Sequence, residues 1–324
     1  MAELSFSPPS TISAIEAAAR AGFDLDSAKK IRRALGLPEA PDDEPQFDDE
    51  VIEVLEVLKQ ITAAGVPFED LLAVSRAYGR AMSRVADAET RVFRKHFVDP
   101  LTRSGASTDE IVEELRPQVD ALLELLQRPL QYVHRRHLDV ALEQLTAESS
   151  SEGASDLTVG FVDLVDFSKI SDDLAGGDLG EFVERFEARV VEICTEYDVR
   201  MVKSIGDAVM FVSPDPVATV RCALTIVQAV DSDEVLPEAR AGLDAGELVP
   251  LGGDYFGRPA NVAARATAFA RPGTTLITKA LLLRLPDGIA DVATIPSQHL
   301  KGVGKVKLFK VRSLSDAPEA GRGS

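Results

Sequence analysis

Midway along the chain, at Thr146–Asp156 (TAESSSEGASD), apolar periodicity stops and small polar residues take over. Before this seam, apolar residues recur at helical spacing. After it, short strand-like runs alternate with helical ones. The 324 residues suffice for two domains, and a 45% apolar, 27% charged composition gives each a core and a surface. The expected layout is a helical unit over 1–145, a linker over 146–156 and an α+β unit over 157–324.

Composition narrows the function classes. A net charge of −18 opposes nucleic acid and anionic lipid. No apolar run approaches the roughly 18 residues of a spanning helix. Met1–Pro9 lacks a basic segment leading into an apolar one, so no secretory signal is expected. Cys194 and Cys222 lie in apolar helical patterns without metal-type spacing and read as buried thiols of a reducing compartment. The expectation is a cytoplasmic protein with no membrane span and no nucleic-acid partner.

In the first unit, helices are predicted over Thr11–Arg20, Ser27–Leu35, Asp49–Ala64 and Phe68 to about Phe97. Ser107 and Glu110 have capping-box spacing, and the helix they open meets Pro117 early. A separate last helix is expected from about Pro129 to Leu145. In the second unit, Leu157–Leu164 reads as a strand and Leu179–Tyr197 as a helix. Arg200–Ile205 and Ala208–Val212 form a hairpin about Gly206-Asp207. Helices over Pro216–Val230 and Pro259–Ala270 alternate with strands over Ala239–Val249, Thr274–Thr278 and Lys305–Ser313. This order predicts an antiparallel sheet with helices on one face.

Three clusters in the second unit carry chemistry. Phe161-Val-Asp163-Leu-Val-Asp166-Phe167-Ser168 ends an apolar strand in a carboxylate. Lys203-Ser-Ile-Gly206-Asp207 sets a second carboxylate at the hairpin turn. In Gly253-Asp254-Tyr-Phe-Gly257-Arg-Pro-Ala-Asn261-Val-Ala-Ala-Arg265, Asn261 and Arg265 lie four apart and share a helix face. Strand-end aspartates beside a helix start suit a hard divalent cation near phosphate oxygens. An arginine and an asparagine on one face suit the charge that develops in phosphoryl transfer. Singly, each residue is an ordinary turn or surface group; their joint order points to metal-assisted nucleotide chemistry.

These clusters resemble the class III nucleotidyl cyclases over about Leu157 to Ser313. The resemblance implies a ferredoxin-like core and conversion of ATP to 3′,5′-cyclic AMP and pyrophosphate. It implies that Asp163, Asp207 and the Leu164 backbone carbonyl hold two Mg²⁺ or Mn²⁺ ions per site. One ion would acidify the ribose 3′-hydroxyl and the other would neutralise the leaving pyrophosphate. Lys203 and Asp254 would read the adenine edge, where guanylyl cyclases usually carry glutamate and cysteine. Asn261 would orient the ribose, Arg265 would stabilise the transition state, and Lys301, in His299-Leu-Lys301-Gly, would bind the triphosphate. Family sites draw the aspartates and the Asn/Arg pair from different subunits, so a homodimer with shared sites is implied. Two departures stand out: Asp166 replaces a usual glycine and Ser168 a usual threonine. The short Asp244–Asp254 stretch resembles members with a reduced dimerisation arm.

The first unit resembles the helical regulatory modules of some actinobacterial members, which implies autoinhibition. His134 and His137, in Tyr132-Val-His134-Arg-Arg-His137, are candidate pH-responsive groups, because adjacent Arg135 and Arg136 disfavour their charged form. The same residues also suit a plain surface helix. A competing reading takes Thr11–Arg33, with its basic Lys29-Lys30-Ile-Arg32-Arg33, as a helix-turn-helix of a DNA-binding regulator with a degenerate cyclase domain. The unit also has the leucine, valine and alanine content to enclose an apolar ligand such as a fatty acid. One guanidinium on developing charge contributes about 3–4 kcal/mol. Arg265→Ala is therefore expected to cut turnover by about two to three orders of magnitude; a variant keeping half its activity would remove Arg265 from the mechanism.

Overall fold

The computed structural model describes residues 10–39, 41–147, 155–167, 170 and 176–315. Ser168 and most of the Thr146–Asp156 seam lie outside them. The chain divides into two compact units, Met1–Ser149 and Ser150–Ser324.

The first unit is built on helices α1 (Ala14–Ala21), α2 (Leu25–Ala34), α3 (Glu50–Ala63) and α4 (Phe68–Phe93). The Ser13 side chain caps α1 by accepting the Glu16 amide, and Gly22 closes it at φ 66°. The alanine face of α1 then packs with Ile31, Leu55 and Leu72 into one small core. Two strands unforeseen in the sequence, β1 (Ile12–Ser13) and β2 (Pro45–Phe47), pair antiparallel across this core's edge. They are too short to carry a period-two signal.

A π-helical turn at Arg94–Val98 separates α4 from α5 (Asp99–Arg103). The capping box forms as expected: the Ser107 amide donates to Glu110 at 2.8 Å and the Glu110 amide to the Ser107 hydroxyl at 3.4 Å. The helix it opens, α6 (Thr108–Ala147), runs unbroken through Pro117 and Pro129. Two helices were expected here, and the prolines do not end the first. The carbonyls they leave without an amide belong to Glu113 and Leu125, both exposed, so water can satisfy them.

The second unit holds an eight-stranded sheet. Its strands are β3 (Ser155–Leu164), β4 (Arg200–Ile205), β5 (Ala208–Ser213), β6 (Ala239–Leu251), β7 (Asp254–Phe256), β8 (Thr274–Thr278), β9 (Ala290–Thr294) and β12 (Leu308–Leu314). The order is β4-β5-β3-β6-β8-β12-β9, with β7 folded back on the end of β6; all pairings are antiparallel except β6 with β8. Strands β10 (Gln298–Leu300) and β11 (Gly304–Val306) form a separate hairpin. The single strand expected over Lys305–Ser313 is thus two, split between that hairpin and the main sheet.

Alternation along the strands sorts side chains onto two faces. Val162, Leu164, Val209, Phe211 and Leu243 pack with α7 (Gly176–Glu196) and α8 (Pro216–Asp231). In the same layer the buried thiols Cys194 and Cys222 lie 3.7 Å apart, and this contact together with burial holds Cys222 protonated. Leu157, Val159, Met210 and Val212 face the other way, against α9 (Arg258–Phe269). A short α10 (Lys279–Leu282) follows β8. The helices therefore do not share one face as the sequence order implied. Gly242 permits the close seat of α9: a Cβ there would lie 2.2 Å from the Thr267 amide nitrogen and 2.8 Å from the Ala263 carbonyl, so α9 rests on bare backbone. Gly242→Val is expected to destabilise the fold by roughly 1–3 kcal/mol through overpacking. An unchanged urea midpoint would show that α9 is not seated on that glycine.

Candidate active site

The site begins where β3 ends. Asp163 is the last inward-paired residue before Leu164, standing opposite Ala208 on β5 and Arg240 on β6. The β4–β5 turn confines positive φ to Gly206, at 62°, the pattern of a two-residue II′ turn. The Leu164 amide donates to the Asp207 carbonyl at 3.2 Å and ties this turn to the end of β3. Two carboxylates are thereby held side by side. Burial first, and the facing Asp163 carboxylate second, push the Asp207 carboxyl above the usual carboxylate range.

Sequence reasoning missed Arg240. Its Nε and Nη2 both donate to Asp163 Oδ2, at 2.9 and 2.6 Å, and Nη1 reaches the Ala268 carbonyl beside the end of α9. The cross-strand register makes this pairing local, but only once β3 and β6 are known to be neighbours. Asp166 sits just beyond, at φ 58°. The usual glycine at this position is explained by that left-handed backbone, which aspartate tolerates better than most side chains.

A second group forms around β4 and β7. The Lys203 ammonium donates to the Asp254 carboxylate, whose other oxygen accepts the Tyr255 amide at 2.8 Å. Beside them the Arg200 guanidinium lies 5.7 Å from the Tyr255 ring centroid. Asn261 and Arg265 are exposed on α9, and Lys301 is exposed in the β10–β11 turn. Hydrogen bonds and ion pairs run within the Asp163–Arg240 group and within the Lys203–Asp254 group.

Among the described residues there is no cluster of three or more His, Cys, Asp or Glu side chains that could hold a metal ion. The donors present are two hard carboxylates under mutual repulsion. That set suits Mg²⁺ or Mn²⁺, which complete their shell with water and substrate phosphate oxygens. The fit supports the pair as cation ligands.

Residues 149–313 match the family described as the adenylate and guanylate cyclase catalytic domain, and residues 8–140 match the adenylate cyclase regulatory domain. The chain belongs to the class III adenylate cyclases. It is 30% identical to a pH-sensitive adenylate cyclase of Mycobacterium tuberculosis, over 93% of this chain and 78% of the relative. It is also 30% identical to an adenylate cyclase of Streptomyces coelicolor, over 86% and 73%. Among solved structures it resembles the adenylyl cyclase CyaB from P. aeruginosa, with 21% identity over 51% of this chain and 96% of that one, at a TM-score of 0.44. The second unit is this cyclase's catalytic domain and the first is its regulatory domain.

The cyclase also carries a buried carboxylate away from these groups. Asp244 is only 5% exposed, accepts the Thr278 hydroxyl, and is pushed up from its ordinary 3.8 by burial. The sign follows from linkage: a folded value raised above the unfolded one adds stability below pH 3.8, and that stability is lost as pH rises through the folded value. Asp244→Asn keeps the Thr278 partner and removes the charge. It is expected to raise the melting temperature at neutral pH and to match the native protein in acid; equal destabilisation at every pH would refute the account.

Proposed function

We propose that the cyclase converts ATP to 3′,5′-cyclic AMP at sites shared between two copies of the chain, under control of its N-terminal unit. The observation carrying this reading is the segregation of chemistry within one chain: the carboxylate pair at the end of β3, and the base-reading and cationic groups on β4, β7 and α9. Exposed apolar side chains at the β6–β7 hairpin (Val249, Leu251 at 67% and Phe256) support a second copy as the surface that covers it.

Asp163, Asp207 and the Leu164 carbonyl would hold two Mg²⁺ or Mn²⁺ ions. When bound, these supply Lewis acidity toward the 3′-hydroxyl and neutralise triphosphate charge. Lys203 donates to an adenine ring nitrogen and Asp254 accepts from the exocyclic amine, each giving up the other as partner. Asn261 orients the ribose for in-line attack on the α-phosphorus. Arg265 meets the charge that builds there, and Lys301 holds the triphosphate.

Residues 1–145 act as the regulatory domain, 146–156 as linker and 157–324 as catalytic domain. A relative named pH-sensitive supports a pH response. His134 lies in α6 with its ring 5.9 Å from Tyr78 of α4, and His137 follows one turn on; Arg135, Arg136 and Asp139 are the charges beside them on α6. Carboxylates of the same unit oppose the basic face that the DNA-binding alternative needs. Lys29 pairs with Asp42, Lys30 with Asp26 and Arg33 with Glu39, while Arg32 donates to Gln46. An apolar ligand would occupy a cleft of about 70 Å³ lined by Ala17, Ile31, Leu55 and Phe47, room for a short chain only. Arg32 Nε is buried there without a partner, which suits an acidic head group.

The test is cyclic nucleotide formation by the full chain from ATP or GTP, in Mg²⁺ or Mn²⁺, across acid and alkaline pH. Cyclic AMP is expected from ATP and absent after Asp207→Ala. Mixing Asp207→Ala with Arg265→Ala chains is expected to restore about a quarter of the activity, since one of two sites in half of the random dimers is intact; no restoration would end the shared-site proposal. Replacing His134 and His137 by Ala is expected to flatten the pH–activity curve, and an unmoved curve would remove them as sensors.

A further inference from the structure

Purine choice depends on a distance that the backbone of this sheet does not itself fix. Strand β4 is the sheet's edge, with β5 and β3 between it and β6, while β7 hangs from the far end of β6. No strand pairing joins β4 to β7. Two side-chain links do so among the described residues: Lys203 with Asp254, and Arg200 with Tyr255.

A bulge in β4 puts both cations on the same face. Arg200 stands opposite Val212 and Met201 opposite Phe211, but Lys203 stands opposite Met210, so Val202 is an extra residue. Regular alternation would have placed Lys203 with Met201, on the face covered by α7 and α8. The bulge returns it to the face of Met210 and Val212, where Val202 and Tyr255 also pack. There Arg200 spans the Tyr255 ring at 5.7 Å and its Nη1 reaches the phenolic oxygen at 3.4 Å. The next residue back from that ring is Asp254, whose Oδ1 the Tyr255 amide holds at 2.8 Å.

We propose that Arg200 and Tyr255 are positioning residues for purine selectivity, a clamp between β4 and β7 that fixes the separation of Lys203 and Asp254. This rests on the reading of those two residues as the base-reading pair. The pair must release each other when a purine enters, so their own bond cannot hold the strands at the spacing a purine needs. The Arg200–Tyr255 contact makes no demand on the nucleotide and survives its entry. It acts through Asp254, whose orientation the Tyr255 amide sets, and through Lys203, three residues along the strand from Arg200.

The test is the ratio of kcat/KM for ATP to that for GTP, measured on the full chain with saturating Mn²⁺. Arg200→Ala and Tyr255→Leu are each expected to lower this ratio about two- to five-fold, the range of a solvent-accessible cation–aromatic contact. The change should fall on KM for ATP more than on kcat, and the double variant should be no worse than either single one. Tyr255→Phe, which keeps the ring, should retain most of the selectivity. A ratio unmoved by Arg200→Ala, with Lys203→Ala lowering it, would overturn the clamp and leave the base-reading assignment standing. A ratio unmoved by Lys203→Ala and Asp254→Ala would overturn both. Arg200 is exposed on an edge strand, so Arg200→Ala tests the proposal even where Tyr255→Leu fails to fold.

Discussion

The catalytic domain hangs on the close approach of α9 to β6 at Gly242, where a helix backbone and a strand backbone meet with no side chain between them. The helix that carries Asn261 and Arg265 takes its position from this contact. Ala263 and Ala266 are small enough to follow the approach, and both are fully buried. Asn261 and Arg265 are then left exposed on the side of the helix away from the sheet. A larger residue at position 242 would lift the helix and both polar groups together, since a helix moves as a unit.

The two faces of the sheet do different work. The face under α7 and α8 is an apolar layer that runs from Val162 to Val311 and holds more of the buried apolar residues than the face under α9. The face under α9 is smaller, and Lys203 and Asp254 stand at its margin. At the end of β3 the carboxylates answer to Arg240, and at the β4–β7 margin Lys203 and Asp254 answer to each other. Asp163 with Arg240, and Lys203 with Asp254, are thus paired with opposite charges within the domain, which offsets the cost of holding these partly buried groups.

The regulatory domain follows a looser logic. Its main core is a small cluster of alanine, isoleucine and leucine with a cleft left in it, and α6 carries Leu125, Tyr132, Val133 and Leu142 exposed. Apolar surface of this kind is costly in isolation and is retained where something covers it. Lys29, Lys30 and Arg33 of α2 are paired with carboxylates of the same unit, which leaves Arg32 as the helix's cation without an ion pair among the described residues.

The chain's own residues made much of this legible. Helical periodicity placed α1 to α4 of the first unit, the Ser107–Glu110 box marked the start of α6, and Gly206-Asp207 marked the β4–β5 turn. The order of Asp163, Asp207, Asn261 and Arg265 pointed to metal-assisted nucleotide chemistry, and it was the resemblance of these clusters to a known family that pointed to a cyclase. Tertiary structure alone decided the rest. Pro117 and Pro129 stay inside one helix, and the residues whose carbonyls they leave without an amide, Glu113 and Leu125, are exposed. Arg240 reaches Asp163 only because β6, 77 residues on, becomes β3's neighbour. Lys203 meets Asp254 only because one bulged residue in β4 reverses which face it occupies. Local signals record backbone preference and periodicity; strand adjacency and register are set by long-range packing, which no window of the sequence contains.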